Sequence, residues 1–132
     1  MNRRQLISWS FLVIYTLNLL VSSMLHPEQL PSFLLMMDDK LLHAFEHFLL
    51  FFFALAAFRY SGINWLERRF VLASFLYCLL IGALIEVEQL WVSYRHSEMT
   101  DWLADLLGVV VAWLAFRFLP FIRNLYQGRD EV

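Results

Sequence analysis

Cysteine and charged residues are both scarce in this chain. Its single cysteine, Cys78, lies in a long apolar run, which excludes a disulfide framework and a cysteine-rich metal site. Charged residues make up 17% of the 132 residues and hydrophobic ones 61%, whereas soluble domains carry about a quarter charged residues. The net charge of -2 excludes the general basic surface of a nucleic-acid-binding protein. We predict one domain, residues 1–132, with part of its surface facing lipid.

Long apolar segments make up most of the sequence, and each is close to the roughly 20 residues that a membrane-spanning helix needs. The predicted spans cover about residues 6–25, 41–58, 70–90 and 102–119. Arg3 and Arg4 precede the first span as in a signal peptide, but its apolar stretch exceeds the roughly 7–15 residues of a signal core, so we expect a retained anchor. Pro120 predicts the end of the last span. The predicted fold class is therefore all-α, an integral membrane bundle of four transmembrane helices.

Basic residues are distributed unevenly between the two sides of this predicted bundle. Eight of the ten flank the first span, the connection between the second and third spans, or the end of the fourth span. These residues are Arg3, Arg4, Arg59, Arg68, Arg69, Arg117, Arg123 and Arg129. The positive-inside rule assigns their side to the cytoplasm, so both termini are predicted to be inside. Only Lys40 and Arg95 lie on the opposite side.

Polar side chains recur at helical spacing near the outer ends of three of the spans. Separations of three, four, seven or eight residues place them on one face of each helix. They are Asp39, His43, Glu46 and His47 on the second span, Glu86 and Gln89 on the third, and Asp101 and Asp105 on the fourth. A charge costs roughly 2.5–3.5 kcal/mol at the bilayer centre and less near the edge, so we expect these groups to face the bundle and pair with one another. Asp38 and Glu98 have a simpler explanation, because helix ends often carry charged residues where they lie near water.

Two further features suit a membrane bundle. Ala104, Gly108 and Ala112 form a row of small residues that lets a neighbouring helix approach closely. Trp91 and Trp102 are predicted to lie at the outer interface as aromatic anchors.

Two blocks of this sequence, in this order, resemble the VanZ-like family of small bacterial membrane proteins. DKLLHAFEHFLLF is similar to the family's D-K-x-x-H and apolar run, and GALIEVEQLWVSYRHSEMTDWLADLLGVVVAW to its Glu-x-x-Gln, loop Arg, Ser and Asp before a small-residue helix. The resemblance covers about residues 36–113 and places Asp39, Lys40, His43, Glu86, Gln89, Arg95, Ser97, Asp101 and Gly108 at motif positions. The chain departs from the pattern at Ser93-Tyr94 (Pro-Gly in the family), at Asp105 (commonly Asn) and at His47 (often an aromatic residue).

The string HAFEH, His43 to His47, also matches the H-x-x-E-H signature of a class of zinc peptidases. His47 is not part of the family pattern, and a catalytic zinc also needs a third protein ligand and an open position for water. Nothing in the sequence requires that ligand, although Glu86 or Asp105 could supply it. We therefore predict no metal site and leave any cofactor open.

The resemblance implies a cell-envelope role in the bacterial cytoplasmic (inner) membrane, because the founding member is linked to teicoplanin resistance. One hypothesis is that the outer polar site binds or modifies a lipid-linked or glycopeptide-related component, or an anionic headgroup. Its predicted catalytic residues are His43, Glu86 and Asp105. Its predicted binding residues are Asp39, Lys40, Glu46, His47, Gln89, Arg95, Ser97 and Asp101.

A second hypothesis is a non-enzymatic scaffold or partner subunit whose polar residues lock the helices together. A proton- or ion-conducting path is disfavoured, because the inner halves of the spans carry almost no ionisable residue. The predicted partner is the lipid bilayer, with no nucleic acid. Whether the protein is an enzyme, and its oligomeric state, stay open.

Overall fold

The computed structural model describes residues 2–25, 38–91 and 99–127, together with positions 29, 32 and 36. Within these residues the regular structure is helical and contains no strand. In chain order the helices are α1 (Arg3–Met24), α2 (Asp39–Arg59), α3 (Asn64–Arg68), α4 (Phe70–Gln89), α5 (Met99–Phe118) and α6 (Pro120–Gln127). Four of them, α1, α2, α4 and α5, are long and apolar enough to cross a membrane.

The starts of the first two spanning helices follow from their capping residues. Asn2 and Gln5 form a reciprocal capping box at the start of α1, so Arg3 and Arg4 belong to the helix although they are charged. The Asp38 side chain accepts a hydrogen bond from the Leu41 backbone N–H at 3.2 Å and starts α2. These caps place the starts of α1 and α2 three and two residues before the predicted spans, and the other ends of the four spanning helices differ from the prediction by at most three residues.

The second span, α2, is the central helix and packs against α5, α4 and α1. Its inner half supplies much of the core, including Leu50, Phe51, Ala54 and Leu55, which are fully buried. Large apolar side chains remain exposed on the outward face of each span. On α4 they form a row at four-residue spacing, Leu72, Leu76, Leu80 and Leu84. A row of this kind is the surface that a spanning helix presents to lipid.

The helix directions bring three chain segments to one end of the bundle. The first turn of α2, the last turn of α4 and the first turn of α5 meet there, and we call this the polar end. Asp39 and Asp101 lie in the first turns of α2 and α5. The exposed N–H groups of a helix N-terminus stabilise nearby carboxylates, so the fold favours acidic residues at this end.

The opposite end contains a tight turn and the short helices α3 and α6. Gly62 has φ 75°, the left-handed region that favours glycine, and its N–H donates to Glu67 Oε1 at 2.8 Å. Pro120 ends the fourth span as predicted and begins α6, whose Tyr126 hydroxyl donates to the Phe52 backbone oxygen at 3.3 Å. Burial raises the pKa of Tyr126 to about 12, so this hydroxyl keeps its proton at neutral pH.

Candidate functional site

The imidazoles at the polar end come from one face of α2. His43 and His47 lie one helical turn apart, as predicted, and both are buried. His47 is 0% exposed, although it lies in a helix that also carries exposed residues such as Leu41 and Phe45. The helical period therefore turns both rings toward the inside of the bundle.

The carboxylates that face them come from α5. Asp101 and Asp105 lie four residues apart, so they occupy the same face of this helix, and both are buried. Asp105 is 2% exposed. A carboxylate buried to this degree has to be paired or hydrogen-bonded.

One oxygen of Asp105 lies between the two imidazoles. The His43 Nδ1–H donates to Asp105 Oδ1 at 3.0 Å. His47 Nδ1 lies 2.9 Å from the same oxygen, but this contact does not have the geometry of a hydrogen bond. The contact is therefore electrostatic rather than a well-directed hydrogen bond. We call His43, His47 and Asp105 the His–Asp cluster.

A second ion pair lies nearer the end of the bundle. Lys40 Nζ is 3.0 Å from Asp101 Oδ1 and donates to Thr100 Oγ1 at 2.9 Å. The Lys40 side chain is 49% exposed, whereas that of Asp101 is 6% exposed. The ammonium group thus covers a buried carboxylate from the solvent side. Both this pair and the His–Asp cluster join α2 to α5.

Asp39, His43 and Asp101 could together hold a cation. Each offers one ligand atom, and these atoms lie within 4.8 Å of one another. Carboxylate and imidazole ligands suit several divalent metals. Lys40 already provides a positive charge to Asp101, and His43 has one ring nitrogen engaged by Asp105. A metal ion would therefore compete with contacts that this chain makes itself.

The remaining predicted site residues take separate positions. Glu46 is half-buried, and its backbone oxygen accepts a hydrogen bond from the Tyr15 hydroxyl of α1 at 3.1 Å. Glu86 is half-buried and lines a pocket between α4 and α5, while Gln89 is buried one turn further along α4. Arg95 and Ser97 lie outside the described residues.

The residue of α4 that lies against the His–Asp cluster is Gly82, which the sequence analysis missed. A Cβ atom built on Gly82 would lie 2.8 Å from Asp105 Oδ2 and 3.3 Å from both His47 Nε2 and Trp102 Cδ1. A signal existed, because Gly82, Glu86 and Gln89 are spaced i, i+4 and i+7, which is one helix face. Trp102, predicted only as an interfacial anchor, also borders this site.

A pocket of about 320 Å³ opens next to this contact, lined by Ala83, Glu86, Met99 and Trp102. Trp102 therefore lines the pocket and also lies close to Gly82. The pocket lies between α4 and α5, next to the helix contact that covers the His–Asp cluster.

The family model described as VanZ/LLP1 matches residues 3–120. The chain belongs to the VanZ/LLP1 family. The match extends over all four spanning helices and ends at the first residue of α6. No curated protein and no solved structure matches the chain at significant similarity. Membership of this family, together with four helices of membrane-spanning length and apolarity, identifies the chain as a VanZ-like membrane protein.

Proposed function

We propose that this VanZ-like protein binds or modifies a lipid-linked or glycopeptide-related component of the bacterial cell envelope. The site of action is the polar end, which we assign to the extracytoplasmic face of the cytoplasmic membrane because basic residues concentrate at the other end. The observation that carries the proposal is the buried His–Asp cluster, in which one Asp105 oxygen lies about equally far from His43 and His47.

The chemistry of this cluster supports a role beyond packing. Imidazole is the side chain that changes its charge near neutral pH without a large perturbation, and a carboxylate on Nδ1–H fixes its tautomer and orientation. His43 would carry a proton, with Asp105 as its partner and Glu86 at the pocket as a further acid or base. Ionisable groups inside a membrane-spanning region mark functional sites by default.

The residues around the cluster would bind and orient the ligand. Lys40 offers an exposed ammonium group to an anionic headgroup, next to Asp39 and Asp101. Arg95 would add a planar guanidinium, which contacts a phosphate or carboxylate through two hydrogen bonds. The apolar faces of α4 and α5 beside the pocket would accommodate the chains of a lipid-linked component.

The test is complementation of a gene deletion, with envelope lipids and glycopeptide sensitivity as readouts. His43→Gln and Asp105→Asn each remove one partner of the cluster at nearly constant volume. We expect both variants to remain folded in the membrane, at a somewhat reduced amount, and to lose at least about tenfold in function per folded protein, since a positioned acid or base contributes that much or more. Leu107→Ala, a change on the exposed face of α5, is the matched control and should complement fully. Full complementation by His43→Gln and Asp105→Asn would refute the proposal.

A structural network is the second candidate, favoured by one observation. Both the Lys40–Asp101 pair and the His43–Asp105 hydrogen bond connect α2 with α5. A scaffold that depends on these bonds would lose folded protein, rather than activity, when they are removed. Quantifying each variant in the membrane beside its phenotype separates the two candidates, because only the scaffold predicts that amount and phenotype fall together.

A further inference from the structure

A groove opens between α4 and α5 at the end of the bundle opposite the polar end, and we call it the α4–α5 groove. It has a volume of about 660 Å³, within the roughly 300–1,000 Å³ of ligand-binding pockets. Its lining residues come from the start of α4 and the second half of α5. The groove therefore lies near the level at which these two spans leave the membrane, and it shares no lining residue with the pocket beside Glu86.

Most of the wall of the α4–α5 groove is apolar. Leu72 and Phe75 contribute to it from α4, and Val110 and Trp113 contribute from α5. Phe75 packs edge-on against the fully buried Phe51, with ring centroids 6.4 Å apart, so the wall is anchored to the core. Leu72 and Trp113 are 46% and 37% exposed, so the groove is open on the outside of the bundle. A hydrocarbon chain in it would gain dispersion contacts without covering a polar group.

Two adjacent arginines, Arg68 and Arg69, line the same groove, and both are exposed. Neither forms an ion pair with any residue that the structure describes. The neighbouring carboxylate, Glu67, instead accepts a hydrogen bond from the Gly62 N–H at 2.8 Å. The first turn of α4 contains no acidic residue. The described lining of the groove thus offers two positive charges and no negative one.

The positive-inside rule explains why arginines lie at this end, but it does not require them to line a groove. Arg3 and Arg4 form a second adjacent pair that follows the same rule. They lie at the same end, because the side chain of Gln5 in the first turn of α1 lies against Gly62. They do not line the α4–α5 groove. The two pairs therefore separate a binding site from a general distribution of charge.

The combination of guanidinium groups with an apolar wall defines the chemical class of the ligand. Arginine contacts phosphate oxygens through paired, charge-assisted hydrogen bonds. Basic pockets between membrane helices bind anionic headgroups of lipids. We propose that the α4–α5 groove binds one anionic phospholipid, with its phosphate on Arg68 and Arg69 and an acyl chain along the apolar wall. This site lies at the other end of the bundle from the proposed function and does not depend on it.

Native mass spectrometry of the full chain, released from detergent micelles, tests the proposal by counting bound lipids. The probes are phosphatidylglycerol and phosphatidylcholine with identical acyl chains. Both carry a phosphate, but the choline of the second is itself positive and is repelled by the arginines. We expect one phosphatidylglycerol to bind at least about tenfold more tightly than phosphatidylcholine, since each basic residue near an anionic headgroup adds to its affinity. Equal affinity for the two lipids overturns the proposal.

Removing the two charges locates the headgroup. The double variant Arg68→Gln, Arg69→Gln should lower the affinity for phosphatidylglycerol at least about tenfold, to the level of phosphatidylcholine. The matched control is Arg3→Gln, Arg4→Gln, which removes the same charge at the same end and should keep the preference for phosphatidylglycerol. An equal loss in both double variants would mean that the charge of the whole end attracts the lipid, and it would refute a site in the groove.

Filling the apolar wall locates the acyl chain. Val110→Trp narrows the groove while leaving both arginines in place, and it should weaken the binding of phosphatidylglycerol. Val111→Trp, at an exposed position on the same helix that does not line the groove, is the control and should bind as the wild type does. Undiminished binding by folded Val110→Trp protein would contradict the proposal. If this variant does not fold, the arginine variants still decide the question, because their side chains are exposed.

Discussion

Asp105 is the residue on which the polar end depends. Its carboxylate is almost fully buried, and one oxygen contacts two imidazoles from the neighbouring helix. Removing a partner from such a group leaves a buried charge or acceptor without compensation, which costs more than the net value of the bond itself. The family pattern commonly has asparagine at this position, and asparagine would keep the shape of the side chain and remove its charge.

A double-mutant cycle between His43 and Asp105 should show direct coupling. For His43→Gln and Asp105→Asn we expect a coupling of about 1–2 kcal/mol in the free energy of unfolding, the upper part of the range for hydrogen bonds between membrane helices. Reversible unfolding in lipid bicelles measures it. A cycle between His43→Gln and Leu107→Ala is the control and should be additive within about 0.5 kcal/mol. Additivity in the first cycle as well would mean that the 3.0 Å contact does not stabilise the protein.

The site residues differ in how far the sequence could predict them. His43 and His47 share one face of α2, and Asp105 shares one face of α5 with Asp101. Exposing these ionisable side chains to lipid costs free energy, so the sequence predicts that they face the inside of the bundle. Gly82 has no side chain, so a search for chemical groups passes over it. Its role comes from a contact between helices that residue spacing along one helix does not contain.

At the scale of single elements, the approach of α5 to α2 depends on Gly108. A Cβ on Gly108 would overlap the Ala44 backbone carbonyl group, lying 2.7 Å from its carbon atom. Ala104 and Ala112, the other members of the predicted small-residue row, are also buried. The row thus permits the close backbone contact that brings Asp105 to the histidines of α2.

Gly108→Ala should therefore force α5 away from α2. We expect a loss of at least about 2 kcal/mol in the free energy of unfolding, in the range for overpacked cores, and a corresponding drop in folded protein in the membrane. Val111→Ala, on the exposed side of the same helix, is the matched control and should change stability much less. Unchanged stability in Gly108→Ala would show that the two helices lie further apart than this structure places them.

At the scale of the whole molecule, the bundle has a polar end and a basic end. Lys40 and Asp101 lie at the first, and Arg59, Arg68 and Arg69 at the second. The positive-inside rule then predicts that the polar end faces the outside of the cell and that both termini lie in the cytoplasm. The proposed envelope function requires this orientation.

Cysteine labelling of spheroplasts, in which the cytoplasmic membrane is intact, tests the orientation. The natural Cys78 is buried, so the wild-type chain should react little with a membrane-impermeant maleimide and serves as the background control. Met36→Cys, at a position that is 89% exposed beyond the polar end, should be labelled in intact cells. Asn64→Cys, at the basic end, should be labelled only after permeabilisation. The reverse pattern would place the polar end in the cytoplasm and contradict the proposed envelope role.

The amino-acid sequence alone was enough to predict the class of this protein, its spanning helices and the helix faces that carry ionisable groups. It could do so because apolar run length, basic flanks and helical period are local properties of the chain. Packing between the helices places one Asp105 oxygen between His43 and His47, sets Lys40 over Asp101, and brings the Gly82 backbone against the His–Asp cluster. These features depend on the distance and rotation between helices, which small residues such as Gly108 set and which no single helix specifies alone.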